Sequence, residues 1–392
     1  MADLNDYRWL VSPEAGPFLV AAAELDPSSV QAVARLRKDL SPQRTALVLE
    51  LTQLRQRAIS GGKFAGADRL FFTSRSLEQA TGEPIARHKA QRFAGCESVA
   101  DLCCGVGGDL LAMAEQSPAE GCDADPVVAL LAQANCCIRG VSATVRCESV
   151  ERVPLDEFAA WHIDPDRRPS ERRVSQVEFC QPPLETIDAM LQMNLNAAIK
   201  LSPAADVPTE WQERAELEWI SHAGECKQQV AWFGGLAANS GTRRATKIQP
   251  DGAPPDHFIG EPNQSAPVAE QLGRYVFDPD PALVASRLLG DFASRDGLSI
   301  LSSGASYLTA DEIVVLPWLQ TFEIVETLPF DLRKLKSLLH GRRIGRLEIK
   351  QRGVKEDLDA IRKRLQLSGD NEATLLLARH NGRVVAMLAN RV

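Results

Sequence analysis

The chain has 392 residues, enough for two to four domains of ordinary size. Hydrophobic residues make up 44% and charged residues 24%, which is the composition of a globular protein and excludes extended disorder. The longest apolar runs, residues 110–114 and 127–134, are far shorter than the ~20 residues that span a bilayer. Asp3 and Asp6 stand where a signal peptide would be basic, so we expect a cytoplasmic protein without a membrane segment.

The net charge of −8 conceals an asymmetry along the chain. Residues 331–392 contain 15 Lys/Arg against 7 Asp/Glu, and 12 of these cations lie within residues 331–364. The remainder of the chain is strongly acidic. A basic module on an acidic body is the pattern expected of a protein that binds a polyanion. A solvated helix face without a partner is the alternative interpretation.

The cysteines argue against disulfides and against a metal site. Their number, nine, is odd, and Cys103–Cys104 and Cys136–Cys137 are adjacent pairs within apolar patterns. The sequence has no CxxC, and its six histidines show no spacing suited to a tetrahedral ion. We therefore expect buried free thiols and no metal.

The N-terminal region, residues 1–95, is predicted to be helical. Apolar residues recur at steps of three and four, and helices are predicted at 18–24, 28–40 and 42–59. Residues 70–73 are predicted to form a short extended link before another helix.

From residue 96 to 248 short apolar strands alternate with helices, the signature of a parallel sheet with crossover connections. Strands are predicted at 99–103, 121–123, 144–147, 158–163, 197–201, 217–221 and 229–233, and helices at 110–115 and 126–135.

Residues 249–328 are predicted to be a linker and connecting region, because residues 249–268 are rich in proline, glycine and polar residues. Residues 329–392 are predicted to form a small α+β domain. Its expected helices are 331–340 and 356–365, and its expected strands are 346–350, 373–379 and 383–389.

A glycine-rich turn follows the first predicted strand of the sheet. It contains Cys104, Gly105, Gly107 and Gly108, and glycine allows the backbone to pass close beneath a nucleoside. The dinucleotide fingerprint GxGxxG would need a further glycine at Leu110, so the turn argues against NAD.

Three carboxylates accompany this turn. Asp123, with Ala124 beside it, ends the second strand about 15 residues later, where a carboxylate can accept hydrogen bonds from both hydroxyls of a ribose. Asp125 precedes Pro126 and is predicted to cap the next helix. Asp101, at the end of the first strand, is suited to holding the methionine end of a nucleoside donor, directly or through water. The motifs together favour an S-adenosylmethionine site over ordinary turn carboxylates.

The fourth strand leads into the loop Ile163-Asp-Pro-Asp-Arg-Arg168, and ligands bind at the carboxyl ends of such strands. This loop resembles the (Asp/Asn)-Pro-Pro-aromatic loop of amine-directed methyltransferases, which implies that Asp164 and Pro165 hold the methyl acceptor. Asp166 and Arg167 replace the second proline and the aromatic residue, so amine methylation is left open. Arg167 and Arg168 would instead clamp a phosphate, or form ordinary surface salt bridges.

Nearly the whole chain resembles bacterial class I S-adenosylmethionine-dependent methyltransferases that carry a C-terminal THUMP-like domain. The segments that carry the resemblance are 70–73, 77–80, 101–109, 164–168, 328–332, 345–350, 353–354 and 369–371. Cys103 stands where members of this family usually have glycine, a departure that we expect to tighten the turn.

The resemblance implies an α/β fold: a Rossmann-like methyltransferase domain, with a helical N-terminal module and a small α+β THUMP-like domain. Methyltransferases commonly place an acid after the third strand, against the adenine amine of the donor. Glu148 and Ser149 are the two candidates here, because the alignment is uncertain by one residue.

The THUMP-like domain implies RNA as the partner, by analogy with true THUMP modules. Phosphate contacts are predicted for four basic residues of this domain: Arg342, Arg343, Arg346 and Lys350. Two alternatives stay open: a methyltransferase of a small molecule or protein, and an RNA-binding protein whose methyltransferase fold is inactive. The sequence leaves the oligomeric state open.

Overall fold

The computed structural model describes residues 2–167, 180–302, 304 and 306–392. The chain divides into a first unit, residues 1–217 and 228–241, and a second unit, residues 218–227 and 242–392. No helix in these described ranges combines the length and the apolar character that crossing a bilayer requires. Nor does any group of three or more His, Cys, Asp or Glu side chains among them suit a metal ion.

The first unit begins with six helices. They are α1 (Leu4–Leu10), α2 (Gly16–Ala23), α3 (Val30–Leu36), α4 (Pro42–Ser60), α5 (Ser74–Gln79) and α6 (Glu83–Ala90). The N-terminus of α4 is fixed by the Ser41 hydroxyl, which accepts a hydrogen bond from the Arg44 amide at 3.2 Å, and by Pro42 in the first helical position. The predicted helical module is confirmed. The sequence analysis missed α1, which is too short to show a periodic pattern.

The strands of this part of the chain are β1 (Val99–Leu102), β2 (Ala119–Asp123), β3 (Ala143–Cys147), β4 (Ala160–Ile163), β5 (Asp166–Arg167), β6 (Cys180–Gln181), β7 (Ala197–Leu201), β8 (Glu216–His222) and β9 (Glu225–Trp232). Its remaining helices are α7 (Gly108–Ala114), α8 (Pro126–Arg139), α9 (Leu184–Met193) and α10 (Thr209–Arg214). The sheet order within the first unit is β9-β7-β4-β1-β2-β3, parallel from β7 to β3, with β9 antiparallel to β7. The predicted parallel sheet is confirmed for β1, β2, β3, β4 and β7, whereas β9, predicted as a further strand of that sheet, runs antiparallel.

The register of this sheet places polar residues side by side. Asp101 of β1 lies directly opposite His162 of β4, and every residue of both strands is buried. Because β1, β2 and β4 run parallel, their carboxyl ends meet at one edge of the sheet. The segments that follow these strands therefore come together there.

The strands of the second unit after β8 are β10 (Arg243–Ile248), β11 (Asp256–Gly260), β12 (Tyr275–Pro279), β13 (Ser299–Ile300), β14 (Leu308–Ala310), β15 (Leu319–Pro329), β16 (Ile344–Arg352), β17 (Asn371–His380) and β18 (Arg383–Arg391). Its helices are α11 (Pro281–Ala285), α12 (Leu289–Arg295), α13 (Leu332–Gly341) and α14 (Leu358–Leu365). Seven strands form a sheet in the order β13-β14-β12-β15-β18-β17-β16. The predicted C-terminal helices and strands are confirmed.

Two stretches differ from the sequence-based expectation. Part of the predicted loop 249–268 is β11, which pairs antiparallel with β10. Residues 319–328, assigned to the connecting region, form most of β15, which pairs with β18 of the predicted C-terminal domain. β15 is specified by pairing with a distant segment, which local composition does not reveal. β11 pairs with the strand directly before it, within a stretch whose proline and glycine content predicted a loop.

Among the described residues no disulfide joins the following cysteines: Cys96, Cys103, Cys104, Cys122, Cys136, Cys137, Cys147 and Cys226. Cys104, Cys122 and Cys136 are buried as predicted, whereas Cys137 and Cys147 are exposed. Cys137 follows a buried residue on α8 and so faces the other side of the helix, and Cys147 ends the edge strand β3. The expectation of buried thiols was wrong for these two.

Candidate active site

A cavity of about 420 Å³ opens at the carboxyl ends of β1, β2 and β4. Most of the predicted donor and acceptor residues line it: Asp101, Cys104, Gly105, Gly108, Asp123, Ala124 and Asp164. The helical N-terminal module forms part of the cavity wall, through Tyr7, Thr73, Ser76, Gln79 and Thr81. The sequence did not indicate a site residue in that module.

The glycine turn combines ligand access with tight packing. Gly105, with φ +56°, adopts the left-handed conformation, and a Cβ there would meet no atom within 4 Å, so the space beside it is open to a ligand. Gly107 (φ +89°) caps the N-terminus of α7. A Cβ at Gly108 would lie 3.0 Å from the carbonyl oxygen of Thr81, so glycine is needed there for packing.

The Asp123 carboxylate is held by two backbone amides. Oδ2 accepts from the Gly105 amide at 3.0 Å, and Oδ1 accepts from the Asp125 amide at 2.9 Å. A carboxylate has about four acceptor positions, so both oxygens keep the capacity to accept from a ribose. Asp125 accepts from the amides of Val127 and Val128 and caps α8, which confirms that prediction.

Asp101 has one buried oxygen that no described residue contacts through a hydrogen bond. The side chain is 1% exposed, and its Oδ1 lies 2.7 Å from Nδ1 of His162. Among the described residues no group hydrogen-bonds to Oδ2. Burial raises the pKa of this carboxyl group, and the neighbouring His162 opposes that shift. A buried, unsatisfied carboxylate oxygen is costly, and the ammonium group of a bound S-adenosylmethionine would satisfy it, so these residues fit that donor.

Further charged groups lie near Asp101, and one of them, Asp109, also lines the cavity. Nζ of Lys89 on α6 is 2.8 Å from Oδ1 of Asp109 on α7 and 3.2 Å from Nε2 of His162. The Thr81 hydroxyl donates to Oδ2 of Asp109 at 2.7 Å. Burial lowers the pKa of Lys89. Burial also raises the pKa of Asp109, but the charges of Lys89 and Lys200 and the hydrogen bond from Lys89 outweigh it and hold that pKa well below the ordinary value.

Sequence reasoning missed Lys89 and His162. The only signal for His162 was its position as the one titratable residue of an apolar strand. Lys89 lies in a helix segment with other basic residues, and the sequence does not mark it as the buried one.

Asp164 forms an ion pair with Lys200 of β7, a residue that sequence reasoning also missed. Burial lowers the pKa of Lys200, but the negative charges of Asp164 and Asp109 outweigh it, so the pKa is raised and the ammonium stays charged. Pro165 is buried. Arg167 belongs to β5, but its side chain lies outside the described part, as does all of Arg168.

Glu148 and Ser149 follow β3 beside the end of β2. The Glu148 amide donates to the carbonyl of Asp123 at 3.1 Å, which fixes this segment next to the predicted ribose site. The Ser149 hydroxyl donates to Glu151. Within the described ranges neither side chain lines the cavity, so the adenine contact stays a prediction.

The predicted RNA-binding residues belong to the second unit. Arg342, Arg343 and Arg346 have side chains that are 43%, 74% and 77% exposed, and each forms an ion pair with an exposed carboxylate: Glu326, Asp370 and Glu372, respectively. Lys350 differs from them. Its side chain is 22% exposed, and its Nζ lies 2.8 Å from Asp278 and 2.8 Å from Gln320.

Comparison with known families gives two matches along the chain. A family described as THUMP domain-like matches residues 319–391, and a domain of unknown function, DUF8688, matches residues 3–58. Together they cover β15 to β18 with their helices, and the first helices of the N-terminal module.

The comparison with known proteins covers most of the chain. An uncharacterized S-adenosylmethionine-dependent methyltransferase of Mycobacterium tuberculosis, matched alike in strains CDC 1551 and H37Rv, is 33% identical over 345 residues. The match covers 86% of this chain and 93% of that protein. The crystal structure of a candidate methyltransferase from Porphyromonas gingivalis W83 shares the fold, with a TM-score of 0.77 at 22% identity, over 96% of this chain and 98% of that one. This chain therefore belongs to the class I S-adenosylmethionine-dependent methyltransferases with a C-terminal THUMP-like domain, and S-adenosylmethionine is its methyl donor.

Proposed function

We propose that this methyltransferase acts on RNA, with the donor held in the cavity of the first unit and the RNA bound by basic residues of the second. The observation that carries the donor assignment is the unpartnered, buried Oδ2 of Asp101. Asp101 lines the same cavity as Asp123 and Asp164.

In this proposal Asp101 binds the ammonium group of the donor and Asp123 accepts hydrogen bonds from its ribose hydroxyls. Two backbone amides already orient the Asp123 carboxylate, so little ordering is required when the ribose binds. Cys104, Gly105 and Ala124 line the nucleoside position. Glu148 and Ser149 stay the candidates for the adenine amine.

Asp164 and Pro165 orient the methyl acceptor. The bound donor supplies a methyl group on a positively charged sulfur. Displacement at that carbon needs the acceptor atom in line and close to contact, so positioning contributes several kcal/mol to the rate. The ion pair with Lys200 restrains the Asp164 carboxylate. In this proposal Arg167 holds a phosphate of the substrate.

The support for RNA is the match to the THUMP domain-like family together with the charge of this region. Arg342, Arg343 and Arg346 are exposed, and exposed ion pairs contribute only about 0–1 kcal/mol, so phosphates would readily replace their carboxylate partners. Lys350 is the least available of the four predicted contacts.

The test is a methyl-transfer assay with labelled donor and total RNA from cells that lack the protein, followed by mass spectrometry of the nucleosides. Asp164→Ala should lower turnover by orders of magnitude and leave donor affinity nearly intact, and Asp164→Asn should fall between it and the wild type. The matched control is Asp156→Ala, an exposed carboxylate on the preceding 3₁₀ turn, which should keep full activity.

Each other outcome is informative. Equal turnover of the wild type and Asp164→Ala would refute the acceptor assignment. Label that enters protein or small molecules instead of RNA favours the other class of acceptor. Binding of both donor and RNA without transfer favours an RNA-binding protein with an inactive fold.

A further inference from the structure

A chain of four buried titratable side chains runs from α6 to the cavity. Its members are Lys89, Asp109, His162 and Asp101, whose side chains are 0%, 6%, 0% and 1% exposed. The contacts are Lys89 Nζ to Asp109 Oδ1 at 2.8 Å, Lys89 Nζ to His162 Nε2 at 3.2 Å, and His162 Nδ1 to Asp101 Oδ1 at 2.7 Å. The chain ends at Asp101, which lines the cavity and whose Oδ2 has no hydrogen-bond partner among the described residues.

The contacts fix which nitrogen of His162 carries the proton. The Lys89 ammonium, paired with Asp109, can only donate, so Nε2 of His162 must accept from it. A neutral imidazole has one donor and one acceptor, and Nδ1 is therefore the donor to Asp101. The direction of every hydrogen bond along the chain then follows from the charge of Lys89.

The same chain leaves one negative charge without a counterion. Lys89 balances Asp109, Lys200 balances Asp164, and His162 is a neutral donor, so the charge of Asp101 is uncompensated among these groups. This charge, on a residue that lines the cavity, suits an ammonium group of a ligand. The register that places His162 opposite Asp101 also restricts where the carboxylate can turn.

We propose that His162 is a positioning residue for donor binding: its Nδ1–H holds Asp101 with Oδ2 toward the donor's ammonium group, and Lys89 sets the His162 tautomer. The role of Asp101 in this proposal rests on the proposed function. His162 itself does not touch the donor. Lys89 and His162 thus contribute to donor binding as well as to the packing of the core.

Three substitutions of His162 separate its two hydrogen bonds. In His162→Asn the amide nitrogen takes the place of Nδ1, so the bond to Asp101 is kept and the one from Lys89 is lost. In His162→Gln the terminal amide reaches the place of Nε2, so the bond from Lys89 is kept and the one to Asp101 is lost. His162→Phe loses both.

Two ligands measured by calorimetry distinguish positioning from damage to the fold. S-adenosylhomocysteine carries the ammonium group, and 5′-methylthioadenosine has the same nucleoside without it. We expect His162→Gln and His162→Phe to bind S-adenosylhomocysteine on the order of ten-fold or more weakly than wild type, because a hydrogen bond to a charged group is lost. His162→Asn should stay within about three-fold, and the affinity of all variants for 5′-methylthioadenosine should be unchanged.

The unsubstituted protein gives a second test. Nitrogen NMR of His162 at mildly alkaline pH should show the proton on Nδ1, and a proton on Nε2 would overturn the proposal. Wild-type affinity of His162→Gln for S-adenosylhomocysteine, or an equal loss for both ligands, would also overturn it. If instead Asp101→Asn binds S-adenosylhomocysteine as tightly as wild type, the donor assignment of the proposed function fails, whatever the tautomer of His162.

Discussion

The Lys89–Asp109 ion pair at the donor cavity and the ion pairs of the basic C-terminal surface join opposite charges in contrasting surroundings. Lys89 and Asp109 are 0% and 6% exposed, whereas Arg343 and Asp370 are 74% and 84% exposed. Breaking a buried pair by removing one partner costs about 3–5 kcal/mol, and an exposed pair contributes about 0–1 kcal/mol. The buried charges therefore fix geometry, while the exposed ones are available for exchange with a ligand's phosphates.

The largest expected effect is on stability. Lys89→Met removes the cation and leaves the Asp109 charge in the interior, so the free energy of unfolding should fall by about 3–5 kcal/mol. Urea denaturation measures this change. Arg343→Met, the exposed counterpart, should change it by less than about 1 kcal/mol.

A double variant tests the electrostatic cause. Lys89→Met with Asp109→Asn leaves neither charge of the pair, so it should recover part of the lost stability. If Lys89→Met is no more destabilising than Arg343→Met, the contrast between the two surroundings is wrong.

The next effect is on donor affinity. Asp123→Ala should weaken binding of S-adenosylhomocysteine by more than about 1 kcal/mol, because two ribose hydroxyls lose a charged acceptor and the Gly105 and Asp125 amides lose their partner. Titration calorimetry measures it. Asp125→Asn is the control: it keeps a good helix cap and should bind S-adenosylhomocysteine with wild-type affinity. Unchanged affinity in Asp123→Ala would refute the ribose assignment.

Replacement of Arg342, Arg343 and Arg346 by Gln tests the exposed side of the comparison. RNA affinity should fall while donor affinity stays unchanged. The slope of the logarithm of the RNA binding constant against the logarithm of the salt concentration should become less steep by about 0.7–0.9 for each lost phosphate contact. Filter binding at several salt concentrations measures both. If RNA affinity is the same in the triple variant and does not depend on salt, these residues are not part of the recognition surface.

Lys350→Gln is the matched control for that experiment. Lys350 and Arg352 both contact Asp278, whose side chain is 8% exposed, so Lys350→Gln should lower stability more than it lowers RNA affinity. The opposite result would place Lys350 with the three exposed arginines.

The sequence predicted the elements and motifs that depend on local pattern. The strand-turn-helix around Gly105, the cap at Asp125 and the alternation of strands and helices follow from neighbouring residues, and the structure confirms them. The lining of one cavity by Asp101, Asp123 and Asp164 follows from the rule that parallel strands end at one edge.

What the sequence could not give depends on residues that meet only in the folded chain. Lys89 and His162 are 73 positions apart and are joined by the packing of α6 against the sheet. Two helices and two strands lie between β15 and its partner β18 in the sequence, and Lys200 contacts Asp164 from a neighbouring strand. Composition and periodicity carry no information about such distant pairs.

The smallest expected effect concerns backbone strain, and it can be measured in both surroundings. Cys103 in the glycine turn and Arg343 on the basic surface both adopt the left-handed conformation, with φ of 53° and 54°. In this conformation a residue with a Cβ is strained by about 1–2 kcal/mol, whereas glycine is not. Replacement by glycine relieves the strain, but part of this stabilisation is offset because glycine has more conformational freedom in the unfolded chain. Cys103→Gly should therefore raise the free energy of unfolding by roughly 0.5–1 kcal/mol.

Arg343→Gly relieves the same backbone strain but removes an exposed ion pair, so its free energy of unfolding should rise by less. Urea denaturation of the two variants measures the difference. A destabilised Cys103→Gly would mean that the half-buried thiol contributes more by packing than its backbone conformation costs.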